Sequence, residues 1–172
     1  SDAQLALTLT LARLLDEQLG QQSDALVRYH DALALEPANT VALDAVERLY
    51  TRSGAWLELL GVIDRKLALA ESVDDRKALL RKQGVLFEEH LDDAESAIDK
   101  HRAILAEDAA DGDALAALRR LYEAGQRWDE LHEIVSAQLA LSVAAGDGQA
   151  TGLVLALAGI EHASLGRTPA AI

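Results

Sequence analysis

Tyr50 and Trp56 return 72 residues later as Tyr122 and Trp128. The same shift carries Leu19, Ala25, Leu33, Leu43, Leu49, Leu67 and Leu69 onto Leu91, Ala97, Leu105, Leu115, Leu121, Leu139 and Leu141. Self-similarity at a fixed period is the mark of a repeat architecture, in which each unit buries its apolar face on the next. The double repeats run over about 3–74 and 75–148, with a partial repeat over 149–172.

Within each unit, apolar residues recur at spacings of three and four, the pattern of amphipathic helices. Glycine, proline and acidic clusters interrupt it at Leu19-Gly20-Gln21, Glu36 to Asn39, Ser53-Gly54, Ser72 to Asp75, Leu91 to Asp93, Asp108 to Asp113, Gly125-Gln126, Ala145 to Gly148 and Gly166 to Pro169. The breaks predict helices over 3–19, 24–35, 40–52, 55–71, 75–91, 94–106, 113–124, 127–144 and 149–165. Asn39 or Thr40 is expected to cap the third helix. Ser72 with Asp75, and Asp92 with Glu95, have capping-box spacing. Gly20 and Gly54 stand where a helix stops in the left-handed conformation. One segment conflicts: Leu5, Leu7, Leu9 and Leu11 alternate like a strand. Its equivalent one repeat later, Lys77 to Gln83, does not alternate, and this decides for helix.

A finer period lies inside the 72. Ala25, Leu59, Ala97 and Leu131 occupy equivalent positions at spacings of 34, 38 and 34. A 34-residue helix–turn–helix unit is the tetratricopeptide length. The chain resembles that family at Leu43, Val46 and Tyr50 of a first helix, the turn glycine Gly54, and Trp56 and Leu59 of the second helix. Leu115, Leu118, Tyr122, Trp128 and Leu131 repeat the set. Ala25, Tyr29, Ala32 and Pro37 match the family's second-helix alanine, aromatic, alanine and closing proline. Glu47 and Arg119 replace the family's small residue, Ala109 replaces the second closing proline, and His101 stands in for Tyr29. The resemblance covers nearly the whole chain and looks like the repeat arrays of large bacterial proteins. It implies an all-α, right-handed α-solenoid of antiparallel helix pairs, forming one repeat domain over 1–172. It also implies a non-catalytic scaffold that binds a protein or peptide on its concave face.

In such stacks the first helices line the concave side. The resemblance places Asp44, Arg48, Thr51 and Arg52 there, with Ala116, Arg120 and Glu123 as counterparts and Lys82, Glu89 and His90 between them. Arg48 and Arg120 are 72 apart, and two arginines on one wall could clamp a carboxylate or an acidic peptide. The plainer alternative pairs them with Asp44, Glu47 or Glu123. Tryptophans repeated at helical spacing are expected to be core rather than ligand grips, which predicts a loss of about 3–5 kcal/mol for Trp56→Ala.

Composition narrows the function classes. The formal net charge of −13 opposes binding to nucleic acid phosphates or anionic membranes. With no cysteine, zinc–thiolate sites and cysteine nucleophiles are excluded. His132-Glu133 opens a zincin-like pattern, but Ser136 stands where the second histidine is required. Glu88-Glu89-His90 and Glu161-His162 are sequence neighbours on different helix faces, and Asp129 with His132 offers too few ligands. Asp108 to Asp113 has calcium-like acids, yet Ala109 and Leu118 occupy ligand positions. No phosphate-binding glycine loop and no nucleophile elbow is present. Neither metal nor cofactor is expected, nor catalysis.

The N-terminus has no basic region before its apolar stretch, and the longest apolar run, Leu153 to Ile160, is too short for a bilayer. A cytoplasmic location is the expectation. The absence of methionine and the stop at Ala170-Ala171-Ile172, where a further helix would begin, suggest a piece of a longer protein. Its uncovered ends are expected to allow self-association. The alternatives to a scaffold are a regulatory or sensor domain of a larger enzyme and a structural spacer without ligand.

Overall fold

A computed structural model describes residues 2–165 of the chain, all of whose regular elements are helical. The helices are α1 (Asp2–Arg13), α2 (Gln22–Leu35), α3 (Thr40–Ser53), α4 (Trp56–Leu69), α5 (Val73–Glu89), α6 (Ala94–Glu107), α7 (Gly112–Ala124), α8 (Trp128–Ala145) and α9 (Ala150–Leu165). A π-helical turn, Leu14–Gln18, continues α1. The predicted break at Gly166 to Pro169 and the helix start at 170–172 lie outside the described residues.

The chain forms two compact units, 1–91 and 92–172. In the first, consecutive helices α1 to α5 pack pairwise; in the second, α6 to α9 do the same. The unit boundary falls at 91/92, inside the second 72-residue repeat of the sequence. A period fixes the spacing of equivalent residues but not where a unit starts, and α5 packs on α4 in the first unit.

The 72-residue shift is visible in the backbone. Asn39 and Asp111, one period apart, both cap: Asn39 Oδ1 accepts from Ala42 N at 3.0 Å, and Asp111 Oδ1 accepts from Ala114 N at 2.9 Å. The calcium-like acids thus serve a helix start. Gly20 (φ +64°) and its equivalent Asp92 (φ +52°) are both left-handed, as are Gly54 (φ +70°) and its equivalent Gln126 (φ +54°). This corrects one expected cap. Asp92 spends its backbone on the turn, so the next residue, Asp93, caps α6 by accepting from Ser96 N at 3.0 Å. Ser96 Oγ returns a bond to Asp93 Oδ2 at 2.6 Å. Ser72 caps α5 as expected, accepting from Asp75 N at 3.0 Å.

Alanine sets how closely the helices approach. Ala12, Ala25, Ala32, Ala42, Ala97 and Ala114 are fully buried, and a methyl group there lets neighbouring backbones close in around larger side chains. In the first unit they pack with Tyr29, Leu33, Leu43, Val46 and Leu49. A second cluster joins α4 and α5 through Leu59, Ile63, Leu79 and Leu86. The second unit buries Ile98, Ile104, Leu115, Leu118, Tyr122, Leu131 and Val135. The strand-like leucines of α1 resolve as helix: Leu5 and Leu9 lie four apart against the core, while Leu7 faces solvent at 72% exposure. α9 docks on α8 and buries Leu153 and Ile160, but Val154 and Leu155 stay exposed. No described helix is long and apolar enough to cross a membrane.

The repeated tryptophans are less buried than the sequence suggests. Trp56 is half-buried and stacks on His90, with ring centroids 3.8 Å apart and planes within 10°. It packs at the edge of the core cluster of Leu59, Ile63, Leu79 and Leu86 and borders an open groove, so truncating it leaves less of a closed cavity than deleting a fully buried ring.

Candidate functional site

Helix α3 places Asp44, Glu47, Arg48, Thr51 and Arg52 on one side by their spacing of three and four residues. Lys66 of α4 and Lys82 of α5 converge on that side. Together these seven residues line an open cleft of about 530 Å³ within the first unit. Of the residues the sequence singled out, Asp44, Arg48, Arg52 and Lys82 meet here.

Ion pairs fix the side chains. Lys66 Nζ donates to Asp44 Oδ1 at 2.7 Å and also to Glu47. Lys82 Nζ donates to Glu47 Oε1 at 2.6 Å. Burial pushes the Glu47 carboxyl up, but hydrogen bonds and charge from Lys66 and Lys82 outweigh it and leave it below the ordinary carboxylate range. Burial likewise works against the charge on Lys66, and Asp44 and Glu47 more than offset it. A depressed carboxyl pKa contributes stability that is present above the unfolded-state value and is lost as pH falls through the folded-state value. The lysine–Glu47 bridge is therefore intact at neutral pH.

The arginines have a partner that the sequence reading missed. Arg48 does not pair with Asp44 or Glu47; its Nη2 donates to Asp16 Oδ2. Arg52 Nη1 lies 3.7 Å from Asp16 Oδ1. Asp16 sits in the π-helical turn, where Leu19 N bonds to Leu14 O at 3.2 Å. The wider turn changes the register in which side chains leave the helix, and the Asp16 side chain is only 3% exposed. Arg48 and Arg52 remain 48% and 49% exposed and Lys82 54%, so the cations are anchored at one edge and open at the other. The cleft gathers four cations, Arg48, Arg52, Lys66 and Lys82, with three carboxylates, Asp16, Asp44 and Glu47. It is thus locally cationic on a strongly acidic chain. Burial and the neighbouring Asp16 charge also raise the Tyr29 phenol above its ordinary value.

The remaining predicted residues are not among those that line this cleft. Glu89 is exposed at the C-terminal end of α5. Arg120 is exposed on α7. Glu123 lines a smaller cleft of about 260 Å³ in the second unit, with Arg119, Trp128, Leu131 and residues of α9. The repeat equivalents of Asp44, Glu47, Lys66 and Lys82 are Ala116, Arg119, Gln138 and Val154. The lysine–Glu47 bridge is therefore particular to the first unit, and the common fold does not require it. Among the described residues, no group of three or more His, Cys, Asp or Glu could hold a metal ion.

No family model matches the chain, and no curated protein matches it. Solved structures do. A tetratricopeptide repeat protein from Parabacteroides merdae superposes with a TM-score of 0.51 at 21% identity, over 93% of this chain and 59% of that one. The chain therefore spans about three-fifths of that relative's length. A chain of nearly identical TPR-like repeats from Podosopora anserina, described as a kinesin light chain, gives 0.51 at 18% identity, over 97% of this chain and 90% of that one. These likenesses define the class: the fold is all-α, of the tetratricopeptide-like helical-repeat (α-solenoid) type.

Proposed function

We propose that the chain is a non-catalytic interaction scaffold whose first unit binds an acidic segment of a protein or peptide in the α3 cleft. The face lined by first helices is the concave one in stacks of such pairs. The observation that carries the reading is the set of half-exposed cations Arg48, Arg52 and Lys82, held in place on a chain of net charge −13. Preset guanidinium groups recognise carboxylates with little further loss of side-chain entropy. Helical-repeat folds generally act as binding surfaces for proteins or peptides, which supports the kind of partner.

A pull-down from a lysate of the source organism tests this, run beside an Arg52→Ser/Lys82→Ser variant. Arg48 is left in place because Asp16 depends on it. The expected result is a partner captured by the parent chain and recovered at least tenfold less with the variant. Equal recovery would move the site off the cleft.

A spacer reading has one observation in its favour: each cleft cation already has an internal carboxylate. It predicts capture by neither chain. The exposed Val143, Val154 and Leu155 of the second unit support self-association as a further contact. Light scattering should then show a mass that rises with concentration, and a constant monomer mass would contradict it.

A further inference from the structure

The Asp16 carboxylate stands where the carboxylate of a ligand would stand. Its Oδ2 accepts from Arg48 Nη2, and its Oδ1 lies 3.7 Å from Arg52 Nη1. Both guanidiniums belong to the cleft wall, whereas Asp16 comes from the π-helical turn that continues α1. The arginine end of the cleft is therefore already occupied by an acid of the chain itself.

That occupancy is incomplete. A carboxylate offers about four acceptor positions and a guanidinium about five donors. Asp16 takes one hydrogen bond from Arg48, and at 3.7 Å its contact with Arg52 is an ion pair without a hydrogen bond. Arg48 and Arg52 are each about half exposed, so their remaining donors face a second carboxylate.

The backbone that delivers Asp16 is also unusual. π-Helical turns make up well under about 1% of residues and gather at functional sites. Nothing in Leu14-Leu15-Asp16-Glu17-Gln18 calls for one locally, since the segment has no glycine or proline. One period later the equivalent residues, 86–90, take the ordinary form: α5 stays α-helical through Glu89, and His90 N bonds Leu86 O at 3.1 Å. This position of the repeat thus accepts an α-helical turn, and in the first unit a tertiary contact selects the wider one. The bond from Arg48 to buried Asp16 is such a contact.

We infer that Asp16 is a built-in competitor of the acidic segment: an internal carboxylate, held on Arg48 and Arg52 by the π-helical turn, which a ligand must displace. This rests on the reading of the cleft given above. A lone carboxylate gains little more at the arginines than Asp16 already supplies. A segment with several acids also reaches Lys82, and this surplus drives Asp16 off. Its release lets Leu14–Gln18 return to α-helix, so the end of α1 reports whether the cleft is filled. The coupling is reciprocal: removing the Asp16 charge tightens the ligand by the factor with which the ligand loosens Asp16.

Calorimetric titration of the full chain with a short synthetic glutamate peptide tests this, beside Asp16→Asn and Glu17→Gln. Asparagine keeps the shape of Asp16 and an acceptor for Arg48 but loses the charge. Glu17 is exposed, and its change alters the net charge by the same step without touching either arginine. Thermal melting checks that each chain is folded. Asp16→Asn is expected to bind at least about fivefold tighter than the parent, the low end of typical coupling, with Glu17→Gln within about twofold of the parent. Binding by Asp16→Asn alone would be the same result in stronger form. Equal affinities in the parent and Asp16→Asn, an equal gain in Glu17→Gln, or weaker binding by Asp16→Asn would overturn the competitor and leave the cleft standing. No binding by any of these chains would overturn the cleft and the competitor together. A second readout follows the backbone. Amide signals of residues 14–18 should move with those of 48–52 as the peptide saturates the parent. Stationary signals at 14–18 beside moving ones at 48–52 would overturn the inference.

Discussion

Arg48→Ala is expected to lower the stability of the first unit by about 2–3 kcal/mol, more than an exposed ion pair is worth. The reason lies in its partner. The Asp16 side chain is 3% exposed, and a buried carboxylate that loses its counter-charge keeps its desolvation cost. Breaking fully buried pairs costs about 3–5 kcal/mol. The lower figure applies here because Arg48 is half in water and Arg52 remains 3.7 Å from Asp16. Adding Asp16→Asn removes the stranded charge, so the double variant should recover most of the loss. Urea denaturation of the four chains in the cycle measures this. Additive losses, or an Arg48→Ala chain as stable as its parent, would contradict the role given to Asp16.

Tyr122→Ala is expected to cost about 3–5 kcal/mol, the range for deleting a fully buried aromatic, whereas Trp56→Ala should cost only about 1–2 kcal/mol. Tyr122 is 1% exposed. Its hydroxyl accepts from Arg102 Nε at 2.8 Å, and the Arg127 guanidinium lies 5.0 Å from its ring centroid. Truncation would leave a cavity and remove the hydroxyl that Arg102 donates to, while Arg127 keeps its bonds to Glu95 and Glu130. Trp56 borders open space, so its truncation loses the stack on His90 and contacts at the edge of the Leu59–Leu86 cluster without leaving a closed cavity. Denaturation of the two variants side by side checks the ranking, and a Trp56→Ala loss equal to that of Tyr122→Ala would contradict it.

The contrast between these aromatics shows how far the sequence could be read. Period and capping chemistry located the helices and turns because they depend on local residues: Asn39 and Ser72 cap where their spacing says. The left-handed turn at Asp92 was less legible, since an aspartate there also resembles a cap. Only its equivalence to Gly20 separates the two roles. Burial was harder still. Tyr50 and Tyr122 are one period apart, yet Tyr50 is only partly buried and hydrogen-bonded to His30 at 2.8 Å while Tyr122 is enclosed. Equivalent positions share a backbone environment, and their neighbours need not repeat.

The cleft was half legible. Asp44, Arg48 and Arg52 follow from helical spacing on α3, and Lys82 from its place on the next first helix. Asp16 was missed because Asp16-Glu17-Gln18 reads as an exposed helix end. Its burial depends on a π-helical turn that no local residue announces. A signal did exist: the 72-residue shift carries Asp16 onto Glu88 as it carries Arg48 onto Arg120, keeping both charges. The Lys66–Glu47–Lys82 bridge carried the opposite signal. It fails to repeat, and in a repeat protein a polar group that the common fold does not need is a candidate for binding.

Backbone amide NMR of the labelled full chain tests the central claim most directly. The probe is a short synthetic peptide of glutamates, titrated at moderate salt. Saturable shifts should appear at residues 44–52 of α3 and 78–86 of α5, and Arg52→Ser/Lys82→Ser should abolish them. Shifts confined to residues 112–165, or no saturable shift at all, would contradict the assignment of an acidic-segment site to the first unit.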